Sequence, residues 1–250
     1  MPAFPLKLSS KGPDVVELQK KLKARGFPLE IDGKFGTNTR NAVRAFQSQN
    51  LDQNGQPLLI DGSVGELTWW SLTHAKPSIV VPSAVDFTVP PSKSAGGTSR
   101  GRAALEVAIG ELKAGAGEVG GNNKGPFVKK YLNGKAPEGS NWCAGFVSHC
   151  FAQGKAPLPL EYSVGGRAIL GQLSKKGWAH KPNSGYQPEP GDIVVWWREK
   201  ADGWMGHIGL VYQLQNGMLY TIEGNKSAKV QGFSYVFTRM EQLLGFGRIP

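Results

Sequence analysis

A short turn signature occurs twice in this chain. Asp32-Gly33-Lys34-Phe35-Gly36-x-x-Thr39 returns as Asp61-Gly62-Ser63-Val64-Gly65-x-x-Thr68, every matched position shifted by 29 residues. Self-similarity at a fixed period means that one supersecondary unit is used twice. In each copy Asp-Gly closes a tight turn, the second Gly makes another, and the Thr stands just inside a helix. Before the first copy, Asp14 to Leu22 puts Val15, Leu18 and Leu22 on one face and stops at Gly26. Between the copies, Thr39 to Gln49 places Ala42, Val43, Ala45 and Phe46 at helical spacing, and Glu66 to Leu72 supplies a third helix. Short apolar segments, Pro28-Leu29-Glu30-Ile31 and Pro57-Leu58-Leu59-Ile60, lead into the two turns. The expectation is a compact three-helix module over residues 1–75. The turns are not calcium loops, because the alternate positions that must supply oxygen ligands are Lys34 or Ser63 and then Gly. No metal is expected.

From residue 76 to 100 the composition changes to a Pro-, Ser- and Gly-rich stretch ending in Gly96-Gly97. It reads as a linker, stiff in front and flexible behind, whose Val and Phe residues can pack on a neighbouring domain. Residues 101–250 open with helices over Ala103 to Leu112, Phe127 to Leu132 and Trp142 to Phe151. Strand patterns follow at Ile193 to Trp197, His207 to Leu214, Met218 to Glu223 and Gly232 to Phe237. Helices first and an antiparallel meander afterwards is an α+β arrangement.

The 250 residues suit two modest domains, and 40% apolar residues are enough to fill their cores. Net charge is +10, split as +2 over residues 1–75 and +8 over the rest. A basic surface favours an anionic partner, but no Lys/Arg stretch is dense enough for a nucleic-acid arm, so no nucleic acid is expected. No apolar run approaches the roughly 18 residues that cross a bilayer, and the start lacks the charged-then-apolar layout of a secretory signal. The expectation is a monomer made in the cytoplasm that reaches its target by another route.

The chemistry begins with two cysteines. On one helix, Cys143 and Cys150 stand about 10 Å apart, beyond the roughly 7 Å limit of a disulfide. Two Cys alone make no zinc site. Cys143 begins its helix, where unpaired backbone N–H groups favour a thiolate; Cys150 sits in the third turn, placed for packing. A thiolate hydrolase also needs a base that returns the proton to the leaving amine. His149 points about 240° around the helix from Cys143. His74 ends the first module, and His180 lies in a polar loop. His207 remains, held on a strand in Gly206-His207-Ile208-Gly209. On the next strand, joined by a turn at Gln215-Asn216-Gly217, Glu223 and Asn225 share a face and can both orient the imidazole. Taken singly, each has a structural reading: a buried small thiol, a strand His bonded within a sheet, an exposed Glu before a turn.

In the order Cys, His, Glu-x-Asn, the second domain resembles the CHAP family, cysteine- and histidine-dependent amidohydrolases and peptidases of papain-like fold. The resemblance rests on Asn141-Trp142-Cys143-Ala144-Gly145-Phe146-Val147, Pro190-Gly191-Asp192, Gly206-His207-Ile208-Gly209 and Glu223-Gly224-Asn225. It implies Cys143 as nucleophile, His207 as base, and Glu223 with Asn225 as orienting groups. It also implies an oxyanion hole from the nucleophile's own N–H and an upstream donor. Trp142 stands where many members carry Gln, leaving Asn141 as that donor. Neither cofactor nor calcium is expected.

Residues 32–39, Ala42-Val43, Phe46-Gln47, Asp61-Gly62 and Thr68-Trp69 are similar to the peptidoglycan-binding module. Polar groups at the turns, Asp32, Gly33, Asp61 and Gly62, are its candidates for cell-wall contact. Together the two resemblances imply a peptidoglycan hydrolase that cleaves a muramoyl–alanine amide or a stem or cross-bridge peptide bond. It would act as a phage endolysin released through a holin, or as an exported antibacterial toxin with an immunity protein as partner. Two other readings remain: a non-catalytic wall-binding protein, and a cysteine amidohydrolase with a different substrate.

Overall fold

The structure, a computed structural model, describes residues 2–27, 29–47, 50, 52–53, 58–59, 61–74, 85–154, 159–182, 184–198, 200–226, 228–240 and 242–250. The chain divides into two compact units, Met1–Val85 and Asp86–Pro250.

The first unit holds three helices, α1 (Pro13–Ala24), α2 (Thr37–Gln47) and α3 (Glu66–Thr73). Pro13 opens α1, where its missing N–H costs nothing and its fixed φ suits a helix. Val15, Leu18, Leu22, Val43 and Phe46 are fully buried. The two turns are built alike, each around a buried glutamine. Gln19 Nε2 donates to Asp32 Oδ1 (2.8 Å), Lys34 O and Thr39 Oγ1 (both 3.1 Å), while its Oε1 accepts from the Gly33 N–H (2.9 Å). Gln47 repeats the pattern with Asp61 Oδ1 (2.9 Å), Ser63 O, Thr68 Oγ1 and the Gly62 N–H. Gly33 and Gly62 lie at φ 69° and 77°, a region in which a side chain is strained. Asp32, Gly33, Asp61 and Gly62, put forward for wall contact, thus have these groups engaged in holding the turns. Pro28, Ser48, Gln49, Pro57, Ile60 and Ala75 of the expected module, and residues 76–84 of the expected linker, lie outside the described residues.

The second unit contains α4 (Ser99–Lys113), α5 (Pro126–Leu132), α6 (Cys143–Gln153) and α7 (Gly166–Lys175). Its strands are β1 (Ala179–His180), β2 (Ile193–Trp197), β3 (Gly206–Gln215), β4 (Met218–Glu223), β5 (Gln231–Val236) and β6 (Leu243–Gly247). They form one antiparallel sheet of order β1-β6-β2-β3-β4-β5. Helix α6 packs on α4 and on β3. The β3–β4 turn has Asn216 at φ 52° and Gly217 at φ 74°, the two positive angles of a type I′ hairpin.

The stretch marked by composition as linker does not run to residue 100. Residues 86–98 belong to the second unit and α4 begins at Ser99. Phe87 packs on Tyr212 with ring centroids 5.0 Å apart and covers Gly232, where a Cβ would lie 2.4 Å from the ring. Tyr212 Oη donates to the Asp86 carbonyl (3.0 Å), and Arg102 binds the carbonyls of Pro91, Ser92 and Gly96. Apart from a single 3-10 turn at Lys93–Ala95 the segment is neither helix nor sheet, yet its carbonyls find donors on the domain. Three elements escape the sequence patterns. In α7 only Gly166, Ile169 and Leu173 are buried, β6 contains two glycines, and β1 is two residues long. His180, expected in a loop, forms half of β1 and stacks on Tyr186 at 3.8 Å.

Candidate active site

Cys143 is the first residue of α6, and the N-cap residue, Trp142, makes no side-chain cap. The first-turn N–H groups therefore stay available. Trp142 is fully buried, stacks on Tyr131 at 5.4 Å and donates through Nε1 to Glu118 Oε1 (3.1 Å). Beneath it lies Gly224, where a Cβ would stand 2.5 Å from the indole ring. The glycine of Glu-Gly-Asn thus lets the start of α6 sit against the end of β4. Burial pushes the Cys143 thiol up; the Arg198 charge and the N–H groups of Ala144, Ile208 and Cys143 itself act against that rise. Ile208 follows His207, so the sulfur and the imidazole strand meet.

His207 is 4% exposed and pairs with Trp196 across β2–β3, the two rings stacking at 5.7 Å. Glu223 pairs not with His207 but with Gly209, two residues along the same face. A Cβ at Gly209 would lie 2.6 Å from Glu223 Cγ. The absent side chain leaves the room through which Glu223 leans to reach His207 Nε2, 2.6 Å from its Oε2.

The tautomer follows from Arg198. Its Nη2 lies 2.8 Å from His207 Nδ1, and a guanidinium only donates, so Nδ1 is the acceptor and Nε2 carries the hydrogen given to Glu223. Glu223 is fully occupied: Oε1 accepts from Thr221 Oγ1 (2.6 Å) and Tyr235 Oη (2.5 Å), and Lys226 Nζ lies 3.5 Å from Oε2. Lys226 is itself buried, donates to Tyr235 Oη and lies over the Phe233 ring. Burial alone would raise the Glu223 carboxyl; Lys226 and the hydrogen bonds from His207 and Thr221 outweigh it and bring it down to about 2. Burial and then the Arg198 charge lower His207 to about 4, against the pull of Glu223. At neutral pH the pair is carboxylate and neutral imidazole.

Of the expected residues, His207 and Glu223 are hydrogen-bonded, and the N–H of Ile208, next to His207, reaches the Cys143 sulfur. Asn225 does not orient the imidazole. It sits one residue past Gly224 at φ 58°, and its Nδ2 donates to Asn141 Oδ1 (3.2 Å), beside the start of α6. Cys150 is fully buried with its thiol pushed well up, and both cysteines are free. His149 binds Glu111, and His74 stacks on Trp70. Sequence reasoning missed Arg198, Lys226, Thr221 and Tyr235. Lys226 carries a signal, a cation three residues after Glu223; Arg198, which directly follows a Trp-Trp strand, carries none. Among the described residues no group of three or more His, Cys, Asp or Glu could hold a metal ion.

Comparisons with known proteins agree with this division. Residues 11–72 match the family model of a peptidoglycan binding domain, and residues 135–225 that of the CHAP domain. A comparison with curated proteins returns no match. Three solved structures are similar. A fused Zn-dependent amidase/peptidase/peptidoglycan-binding domain-containing protein from Clostridium acetobutylicum is 34% identical over 36% of this chain and 37% of its own, with a TM-score of 0.26. The Burkholderia AP3 phage endolysin is 30% identical over 49% and 41%, with a TM-score of 0.26. NlpC1 from Trichomonas vaginalis is 16% identical over 61% and 45%, with a TM-score of 0.32. In each case this chain spans less than half the length of the solved chain. The chain thus joins a peptidoglycan-binding domain at its N-terminal end to a CHAP domain at its C-terminal end.

Proposed function

We propose that this protein is a peptidoglycan hydrolase that cleaves an amide bond through Cys143. The observation that carries the reading is the buried Glu223–His207 pair beside the thiol that opens α6. With Nε2 committed to Glu223, Nδ1 is the nitrogen that takes the thiol proton. The sulfur attacks the amide carbonyl, and the N–H of Cys143 faces the developing oxyanion. Asn225 holds the oxygen of the Asn141 amide, which supports Asn141 Nδ2 as the second donor. The proton on Nδ1 passes to the leaving nitrogen as the C–N bond breaks, giving a thioester and a free amine. Water, activated by Nδ1, then releases the acid and restores the thiol. Glu223, kept ionised by Lys226, offsets the positive charge on the imidazole in both halves of the cycle.

The bond is the muramoyl–alanine amide or a peptide bond of the stem or cross-bridge, and the setting is phage lysis or an exported antibacterial attack. The N-terminal module tethers the hydrolase to its polymer and raises the local substrate concentration. The basic second domain, +8 beyond residue 75, suits an anionic wall. The test is incubation of the full chain with purified sacculi, with mass spectrometry of the released fragments. A new amine paired with a new carboxylate is expected, and its identity names the bond. Intact sacculi after exposure to folded, sacculus-bound protein would reject the reading.

A further inference from the structure

Proton transfer from Cys143 needs His207 Nδ1, and Arg198 occupies that nitrogen at 2.8 Å. An imidazolium formed there would bring its new N–H and positive charge directly against the guanidinium. The side chain must leave before the base can work, and the structure permits that. The Arg198 backbone N–H is tied across the hairpin to the Met205 carbonyl (3.2 Å), while the side chain is a long, jointed stem and only half-buried. Its bond to the ring is made to a neutral acceptor. A carboxylate offers two oxygens that match the guanidinium fork and a full opposite charge, so it outcompetes the imidazole.

We propose that Arg198 is a carboxylate-operated latch: at rest it closes the base nitrogen of His207, and a substrate carboxylate near the scissile amide draws it off and is held by it. Resting on the hydrolase reading, this names the preferred substrate as a stem peptide with a free carboxylate beside the bond cut. The latch also spares the resting thiol, since Cys143 is activated only when an anion is present.

The first test needs no hydrolysis. In the full-length protein at pH 7, alkylation of Cys143 by iodoacetate, which carries a carboxylate, is compared with alkylation by neutral iodoacetamide. The wild type is expected to favour iodoacetate. In Arg198→Met the iodoacetate preference falls by about tenfold, the loss of one charge-assisted hydrogen bond at the low end of its range. An unchanged ratio overturns the latch. Should Arg198→Met not fold, the wild type still answers: glutarate is expected to speed iodoacetamide and slow iodoacetate. If glutarate acts no differently from chloride at equal ionic strength, the latch falls.

The second test gives the wild type soluble stem peptides that differ only in a carboxylate or a carboxamide beside the scissile bond. A kcat/KM about tenfold higher for the carboxylate form, abolished in Arg198→Met, is expected; equal values overturn the substrate assignment. If neither peptide nor sacculus is cleaved, the hydrolase reading fails, while the alkylation ratio judges the latch by itself.

Discussion

The second domain contains the same three side-chain types twice. Cys143, His207 and Glu223 form one set; Cys150, His149 and Glu111 form the other. Both histidines are buried and both meet their glutamate through Nε2, at 2.6 Å for His207 and 3.2 Å for His149. Burial lowers both imidazoles and raises both thiols. What separates the sets is the backbone. Cys143 opens α6, where N–H groups have no helical partner and reach the sulfur. Cys150 lies inside the same helix, whose amides are spent on the helix itself. His149 is its immediate neighbour, turned about 100° away, whereas His207 comes from a different element, the strand whose Ile208 N–H reaches the Cys143 sulfur. Glu111 is shared among Lys130 (2.6 Å), Tyr131 (2.6 Å) and His149, which ties α4, α5 and α6 together. In the proposed mechanism one set is aimed at a reacting atom, whereas the other joins three helices. A list of nucleophile, base and acid does not distinguish them; the position of the thiol on its helix does.

The largest expected effect tests that division directly. Cys143→Ala and His207→Ala should each lower fragment release from sacculi by at least about 10³-fold while folding and sacculus binding persist. His149→Ala should stay within about twofold of wild-type activity, since that ring serves packing. If His149→Ala is as inactive as His207→Ala in a folded protein, the two sets have been assigned the wrong way round.

The two glutamates should part in the same manner. Glu223→Gln keeps the shape and most hydrogen bonds but removes the charge opposite the imidazolium, and activity should fall on the order of 10²-fold. Glu111→Gln should leave turnover intact and cost roughly 2 kcal/mol of stability, read as a shifted denaturant midpoint, because three donors lose a charged acceptor. The turns of the N-terminal module give a parallel. Gln47→Ala strips the shared donor from Asp61 and Thr68 and should cost a similar amount in that module, with cleavage of soluble fragments unchanged.

How much of this was legible in the sequence follows from the same contrast. Local features are readable: the repeat, the start of α6 at Cys143, the Asn216-Gly217 hairpin and the apolar and aromatic runs of β2 to β5 all lie within a few residues of their cause. Strand register pairs Glu223 with His207, but the same two-residue period draws in Asn225. Past the end of β4 the chain leaves the pleat at Gly224, and the period no longer applies. Gln19 and Gln47 fell outside the repeat because they stand 28 residues apart while the turns stand 29 apart, a helix offset invisible to a fixed period. Arg198 is legible only once β2 and β3 are paired, since nothing local links it to His207.

A smaller effect concerns pH. The charged groups acting on His207 are Glu223 at the end of β4, Lys226 beyond it and Arg198 after β2. With the folded value near 4 and the ordinary one at 6.5, the unfolded chain binds a proton between these limits that the folded protein refuses. Stability from this group is complete above about 6.5 and drains away as pH falls towards 4. The acid limb of kcat/KM should lie near the lower value in the wild type. Because the Arg198 charge contributes to the depression, Arg198→Met should move that limb upward by about one unit. An unmoved limb would mean that burial alone sets the value.

The smallest effect is the sharpest check on the two thiols. Cys150→Ala removes one sulfur from a fully buried position and leaves a small void, at a cost of about 1 kcal/mol. Turnover should stay within about twofold, because that sulfur lies in the third turn of α6, away from the helix start. The same contrast can be read without mutation. In the folded protein iodoacetamide should add one carbamidomethyl group, at Cys143, whereas in denaturant it should add two. If Cys150 is alkylated first under native conditions, or if Cys150→Ala is folded yet inactive, the nucleophile is the mid-helix thiol. Helix position would then not mark the reactive thiol, and the enzyme mechanism built on it would fall.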